Sequence, residues 1–148
     1  LNSLTHASSK VGAYPFTTLD PHLGDFHGHL LADIPGLIEG ASSGRGLGSK
    51  FLRHVERTGL LIHLISAEQD DPVATYRTIR KELSAFGRGL AEKPELVVLS
   101  KVDVLSDEEQ GKRISLLTHE VGKGQVLGVS ILDDASLKAF SDHLSSLL

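Results

Sequence analysis

Short, nearly continuous apolar runs alternate along this chain with segments of helical periodicity, and that alternation limits what the chain can fold into. The runs are 29–33 (HLLAD), 60–66 (LLIHLIS), 96–100 (LVVLS) and 125–130 (QVLGVS). A strand wetted on one side alternates apolar with polar residues, whereas an unbroken apolar run belongs to a strand covered on both faces. A shorter run at 23–26 precedes them, with a turn expected at His27-Gly28. Helical spacing appears first at 50–58. It returns after Asp71, a capping residue followed by Pro72 at the first helical position. There Val73, Tyr76, Ile79, Leu83, Phe86 and Leu90 fall on one face. A third helix is expected from Ser106, with Glu109 completing a capping box. A fourth runs from about residue 135 to the end, with Leu137, Phe140, Leu144 and Leu147 on one side. The pattern predicts one α/β domain over residues 1–148, its sheet mostly parallel.

Composition narrows the function classes. The chain has 148 residues, 40% hydrophobic and 23% charged, which suits a folded domain. Fifteen Lys+Arg against 19 Asp+Glu leave a net charge of −4, so tight electrostatic binding of bulk nucleic acid and a DNA partner are not expected, though a local basic patch is permitted. The absence of cysteine excludes a disulfide framework, a zinc–thiolate site and a thiol nucleophile. No apolar run approaches the roughly 20 residues that span a bilayer, so no membrane partner is expected and the cytoplasm is the default compartment. No methionine occurs, so Leu1 is not a translation start, and the chain is expected to be part of a longer sequence.

Glycine is concentrated at 36–48 (GLIEGASSGRGLG), which holds five of the 15 glycines between a predicted strand and a predicted helix. Ligands of open α/β sheets bind at the carboxyl ends of strands, where such a loop lies. Asp33 ends an apolar run there. A carboxylate in that place can hold a magnesium-bound water, and Gly36, three residues on, lets its amide approach a terminal phosphate. Upstream, the Thr18 hydroxyl in Phe16-Thr17-Thr18 can complete a magnesium shell. After LVVLS, the Lys101 stem can lie over a purine. Asp103 can accept two N–H bonds from a guanine edge, a donor pair that adenine lacks. Ser130 ends the last run, where backbone amides can meet a base carbonyl oxygen. Each residue taken singly also reads as a capping or solvated turn residue. Their order along one α/β scaffold is the informative feature.

That order resembles the motif series of a small GTP-binding domain, and DIPGLIEGASSGRG resembles the signature of the Obg (CgtA) GTPases in particular. AYPFTTLDPHLG and GLGSKFLRHVERTGLLIH extend the resemblance across both switch regions, and residues 13–63 carry its most specific part. The resemblance implies a P-loop NTPase-like, three-layer GTPase domain with helices on both faces of the sheet. It implies hydrolysis of GTP to GDP and phosphate with Mg2+, in assembly of the large ribosomal subunit, with that subunit or its rRNA as partner. It assigns nucleotide binding to Phe16, Thr17, Thr18, Leu19, Asp20, Asp33, Ile34, Pro35, Gly36, Ser100, Lys101, Val102, Asp103, Ser130, Ile131 and Leu132. Thr18 would bind magnesium directly and Asp33 through water. Leu37 stands where Ras-like enzymes carry a water-orienting glutamine, which implies slow hydrolysis and leaves the catalytic residue unassigned.

Three departures from the family pattern carry expectations of their own. Gly111-Lys112 and Gly122-Lys123 are followed by arginine and glycine, so the phosphate-cradling G-x-x-x-x-G-K-[ST] is not in the sequence. The chain is therefore expected to start just after that loop and to lack the first strand. Central sheet edges would then be unpaired, and the piece unstable on its own. Ser100 replaces the usual asparagine of N-K-x-D, which should weaken affinity. The connection 24–31 is shorter than the family's usual hairpin, which should trim two edge strands. A rival reading is a degenerate G domain that no longer binds nucleotide and serves as an interaction module. Elsewhere, His27 and His29 with Asp25 fit either a metal site on one strand face or a solvated hairpin. Lys50, Arg53, His54 and Arg57 fit either an effector or RNA contact or a solvated helix face.

Overall fold

Strand β4 (Glu95–Ser100) organises the molecule, because its side chains feed two separate cores. The structure is a computed structural model that describes residues 3–4, 22–33, 56–87, 89–122 and 126–148. β4 lies between β3 (Leu61–Ser66) and β5 (Val126–Val129), parallel to both, in register from Leu61↔Glu95 to Ser66↔Ser100 and from Val97↔Val126 to Ser100↔Val129. Val97 and Leu99 enter a core with Ile65, Tyr76, Val102, Leu117 and Val126. That core lies beneath helices α1 (Pro72–Phe86) and α2 (Asp107–Val121). Leu96 and Val98 point the opposite way, to Val129 and to Phe140 and Leu144 of α3 (Asp134–Leu147). Successive residues of a strand face opposite sides, so one uninterrupted apolar run serves both layers. The result is a three-layer α/β arrangement with helices on both faces.

Strands β1 (His22–Phe26) and β2 (His29–Asp33) pair antiparallel as a second, two-stranded sheet, and Phe26 and Leu31 pack into the α3-side core. His27 and Gly28 both have positive φ (51° and 86°), the conformation of a two-residue hairpin turn. His27 therefore sits on the turn and shares no strand face with His29, contrary to the metal-site reading. Among the described residues no cluster of His, Asp or Glu could hold a metal ion.

The caps follow the sequence closely. Asp71 Oδ1 accepts the Ala74 N–H at 3.0 Å, and Ser106 Oγ accepts the Glu109 N–H at 3.2 Å. Other expectations are corrected as well, among them that the run 29–33 is covered on both faces, since Leu30 is 70% exposed. α1 stops at Phe86 because Gly87 takes φ 75°, so Leu90 belongs to a separate 3-10 turn, Leu90–Glu92, and is buried from there. Leu147 is not on the core face; in the last turn of α3 it is 48% exposed. Leu64 of β3 is 57% exposed, because the α3-side core reaches Leu60 and Ile62 and stops short of it. The glycine-rich segment 36–48 lies outside the described residues, as do residues 50–55 of the predicted helix 50–58. Among the described residues no helix is long and apolar enough to cross a membrane.

Candidate functional site

Because β3, β4 and β5 are parallel, their carboxyl ends meet at one edge, and the sequence places polar residues at each of them. β4 ends at Ser100, whose hydroxyl donates to the Ile65 carbonyl of β3 at 3.3 Å. Lys101 then adopts a left-handed backbone (φ 58°), costly for a residue with a Cβ and typical of functional turns. A 3-10 turn, Val102–Val104, holds it there. The Val104 N–H donates to the Lys101 carbonyl at 3.2 Å, and Val102 is buried in the core. With Val102 anchored inward, Asp103 is left exposed at the edge.

The next strand brings its end to the same place. Ser130 follows β5 and is 2% exposed, its N–H donating to Ser136 Oγ at 3.1 Å. Its hydroxyl donates to Asp103 Oδ1 at 2.7 Å and accepts the Leu132 N–H at 3.1 Å. The carboxylate is thus held on one side by a buried, fully engaged hydroxyl while its other side faces solvent. Ile131 and Leu132 are 70% and 78% exposed, an apolar surface beside the carboxylate. The Lys101 ammonium stands 3.0 Å from Glu68 Oε2, on the segment that leaves β3.

Of the residues expected at a nucleotide site, Ser100, Lys101, Val102, Asp103, Ser130, Ile131 and Leu132 are gathered at this edge. Asp33 ends β2, and its side chain lies outside what the structure describes. Phe16, Thr17, Thr18, Leu19, Asp20, Ile34, Pro35, Gly36 and Leu37 lie outside the described residues. Ser136 and Glu68 went unnoticed in the sequence. Ser136 had no local signal, and Glu68 was marked only by its place just after a strand end.

Two strongly perturbed titratable groups belong to a structural cluster away from this edge. The His63 ring stacks on Tyr76 at 5.5 Å between centroids, and Tyr76 Oη donates to Glu95 at the amino end of β4. Burial, with a smaller contribution from the Arg80 charge, lowers the His63 pKa to about 4. Burial and the Glu95 bond push the Tyr76 hydroxyl well above its ordinary value.

Known proteins resemble this chain in architecture and in sequence. A crystal structure described as that of a probable GTP-binding protein, engB, matches with TM-score 0.63 over 97% of this chain and 87% of that one, at 10% identity. Together with the GTPase family model that follows, the likeness gives the chain the fold of a P-loop GTPase domain. The family model described as 50S ribosome-binding GTPase matches residues 1–101, more than half of the chain, and the chain belongs to that family. Its relatives include GTPase Obg of Desulfatibacillum aliphaticivorans, 51% identical over 140 residues that cover 89% of this chain and 41% of the relative. GTPase Obg of Rhizorhabdus wittichii is 42% identical over 152 residues, covering 100% of this chain and 44% of the relative. GTPase Obg of Zymomonas mobilis is 44% identical over 151 residues, covering 99% and 43%. The chain spans less than half the length of these relatives.

Proposed function

We propose that this chain is the guanine-nucleotide-binding part of an Obg-type GTPase that hydrolyses GTP to GDP and phosphate. The observation that carries the reading is the 2.7 Å bond from Ser130 Oγ to Asp103 Oδ1. It holds a carboxylate at the sheet's carboxyl edge with its outer side facing solvent. A carboxylate so fixed accepts the N1–H and N2–H of guanine side by side, whereas the adenine edge presents no such donor pair. The methylene stem of Lys101 and the exposed side chains of Ile131 and Leu132 give the purine an apolar surface. Magnesium is assigned to Thr18 directly and to Asp33 through water, on the family motif. Leu37 in place of a water-orienting glutamine makes intrinsic hydrolysis slow. The large ribosomal subunit is the proposed partner, because the matching family is described as ribosome-binding, and action in the cytoplasm follows from that.

A second reading, an interaction module that has lost nucleotide binding, is favoured by Ser100, whose short side chain bonds the neighbouring strand at Ile65. Thermal unfolding of the complete gene product with magnesium and GDP, and separately with ADP, separates the two. A ligand at a hundredfold its dissociation constant stabilises by about 2.7 kcal/mol. A midpoint raised by GDP and not by ADP supports the guanine reading. No shift with either overturns it in favour of the interaction module.

A further inference from the structure

Segment 66–69, which leaves β3, is unusually well tied for a connection. The Ala67 N–H donates to the Ser100 carbonyl at 2.8 Å and the Gln69 N–H to the Ser66 carbonyl at 3.1 Å. The Glu68 N–H donates to Ser66 Oγ at 3.2 Å. Arg113, from α2, reaches across the edge, and its Nη1 donates to the carbonyls of Ala67 (3.1 Å) and Gln69 (2.5 Å). Those carbonyls flank Glu68, so one guanidinium pins the backbone on both sides of it. From there Glu68 Oε2 meets Lys101 Nζ at 3.0 Å.

We propose that Glu68, pinned by Arg113, is a positioning residue for guanine recognition, tethering the Lys101 ammonium so that the lysine stem is ordered before the base arrives. The proposal rests on the guanine reading above. A lysine side chain carries about 2 kcal/mol of rotamer entropy, which a purine settling on the stem must otherwise suppress. An exposed ion pair usually gives little, because forming it orders two flexible groups. Here both backbones are already fixed, Glu68 by Arg113 and Lys101 by its left-handed turn, so the two half-exposed side chains are all that the pair has to order. Glu68 is the ion-pair partner of this lysine among the described residues.

The sign of one substitution separates positioning from ordinary charge effects. GDP is an anion, so deleting a nearby carboxylate should tighten its binding if only overall electrostatics matter. Positioning requires the opposite. The test is displacement of a fluorescent GDP analogue from the complete gene product by GDP, for the wild type, Glu68→Gln, Glu68→Asp and the charge control Glu108→Gln. Glu68→Gln should raise the GDP dissociation constant about threefold to fivefold, the upper range for an exposed pair. Glu68→Asp should recover part of that loss and Glu108→Gln should show none, with ligand-free melting midpoints unchanged. A Glu68→Gln constant equal to or below the wild-type value overturns the positioning role and leaves the guanine reading standing. A wild type that binds no GDP overturns both.

Discussion

Ser130 Oγ lies 2.7 Å from Asp103 Oδ1, joining residues 27 apart in sequence across the ends of adjacent parallel strands. The same oxygen accepts the Leu132 N–H at 3.1 Å, so the serine links the aspartate to the backbone of the loop beyond β5. Ser130→Ala removes both bonds of a buried hydroxyl and leaves the Leu132 N–H without its acceptor. GDP affinity should fall about tenfold, close to 1.4 kcal/mol, with the fold retained. Titration calorimetry on the variant checks this, and an unchanged affinity would show that Asp103 needs no support.

Asp103→Asn tests which base edge the site reads. The carboxylate accepts two N–H groups, whereas the amide offers one acceptor and one donor. Guanine then loses one bond and sets its second N–H donor against the amide NH2. Xanthine, with a carbonyl in place of the 2-amino group, matches the new pattern. Hydrogen bonds to charged groups contribute about 1.5–3 kcal/mol, so GDP should weaken at least tenfold while XDP strengthens. Competition of GDP and XDP on wild type and variant measures the exchange. Equal weakening of both nucleotides would mean that Asp103 does not touch the base.

How much of this was legible in the sequence differs from residue to residue. The apolar run 96–100 announced a strand buried on both faces, since parallel pairing and helices on either side leave no wet face at Val97 or Val98. Asp71-Pro72 and Ser106 marked their helix starts because capping is a local bond between a side chain and an amide three residues on. Leu90 was misplaced because apolar spacing continues past Gly87, while the backbone there turns to positive φ. Asp103 and Ser130 were each readable as candidates. Their hydrogen bond was not, since the parallel register that brings the strand ends together is a long-range property. Arg113 and Glu68 were invisible for the same reason, being 45 residues apart and linked only through carbonyls.

Gly128 of β5 lies close beneath α2. A Cβ there would lie 2.8 Å from Gln110 Nε2, 3.0 Å from Ile114 Cδ1 and 3.4 Å from Val102 Cγ1. The two nearest atoms are side-chain ends that can swing aside, so Gly128→Ala should cost less than about 1 kcal/mol. Gly128→Val adds two methyl groups against Ile114 and the less movable Val102, and should cost about 1–3 kcal/mol as overpacking. Because Val102 anchors the turn that carries Asp103, the valine variant should also lose GDP affinity. Urea unfolding measures the first effect and nucleotide titration the second. Equal stability of both variants would place α2 farther from β5 than Gly128 implies.

His63 makes stability depend on pH. Its pKa is lowered to about 4 in the folded protein, first by burial and then by Arg80, against an ordinary value of 6.5. Above pH 6.5 the ring is neutral in folded and unfolded chains alike, and its contribution to stability is fully present. As pH falls below 6.5 the unfolded chain takes up a proton that the folded one refuses, so stability declines until the folded value near 4 is passed. At 1.36 kcal/mol per pKa unit the loss from this ring is about 2 kcal/mol at pH 5. His63→Phe keeps an aromatic ring against Tyr76 and cannot titrate. Urea midpoints of wild type and variant should therefore diverge between pH 7 and pH 4, the wild type losing stability and the variant losing about 2 kcal/mol less by pH 5. Parallel curves would show that His63 is solvated and titrates normally.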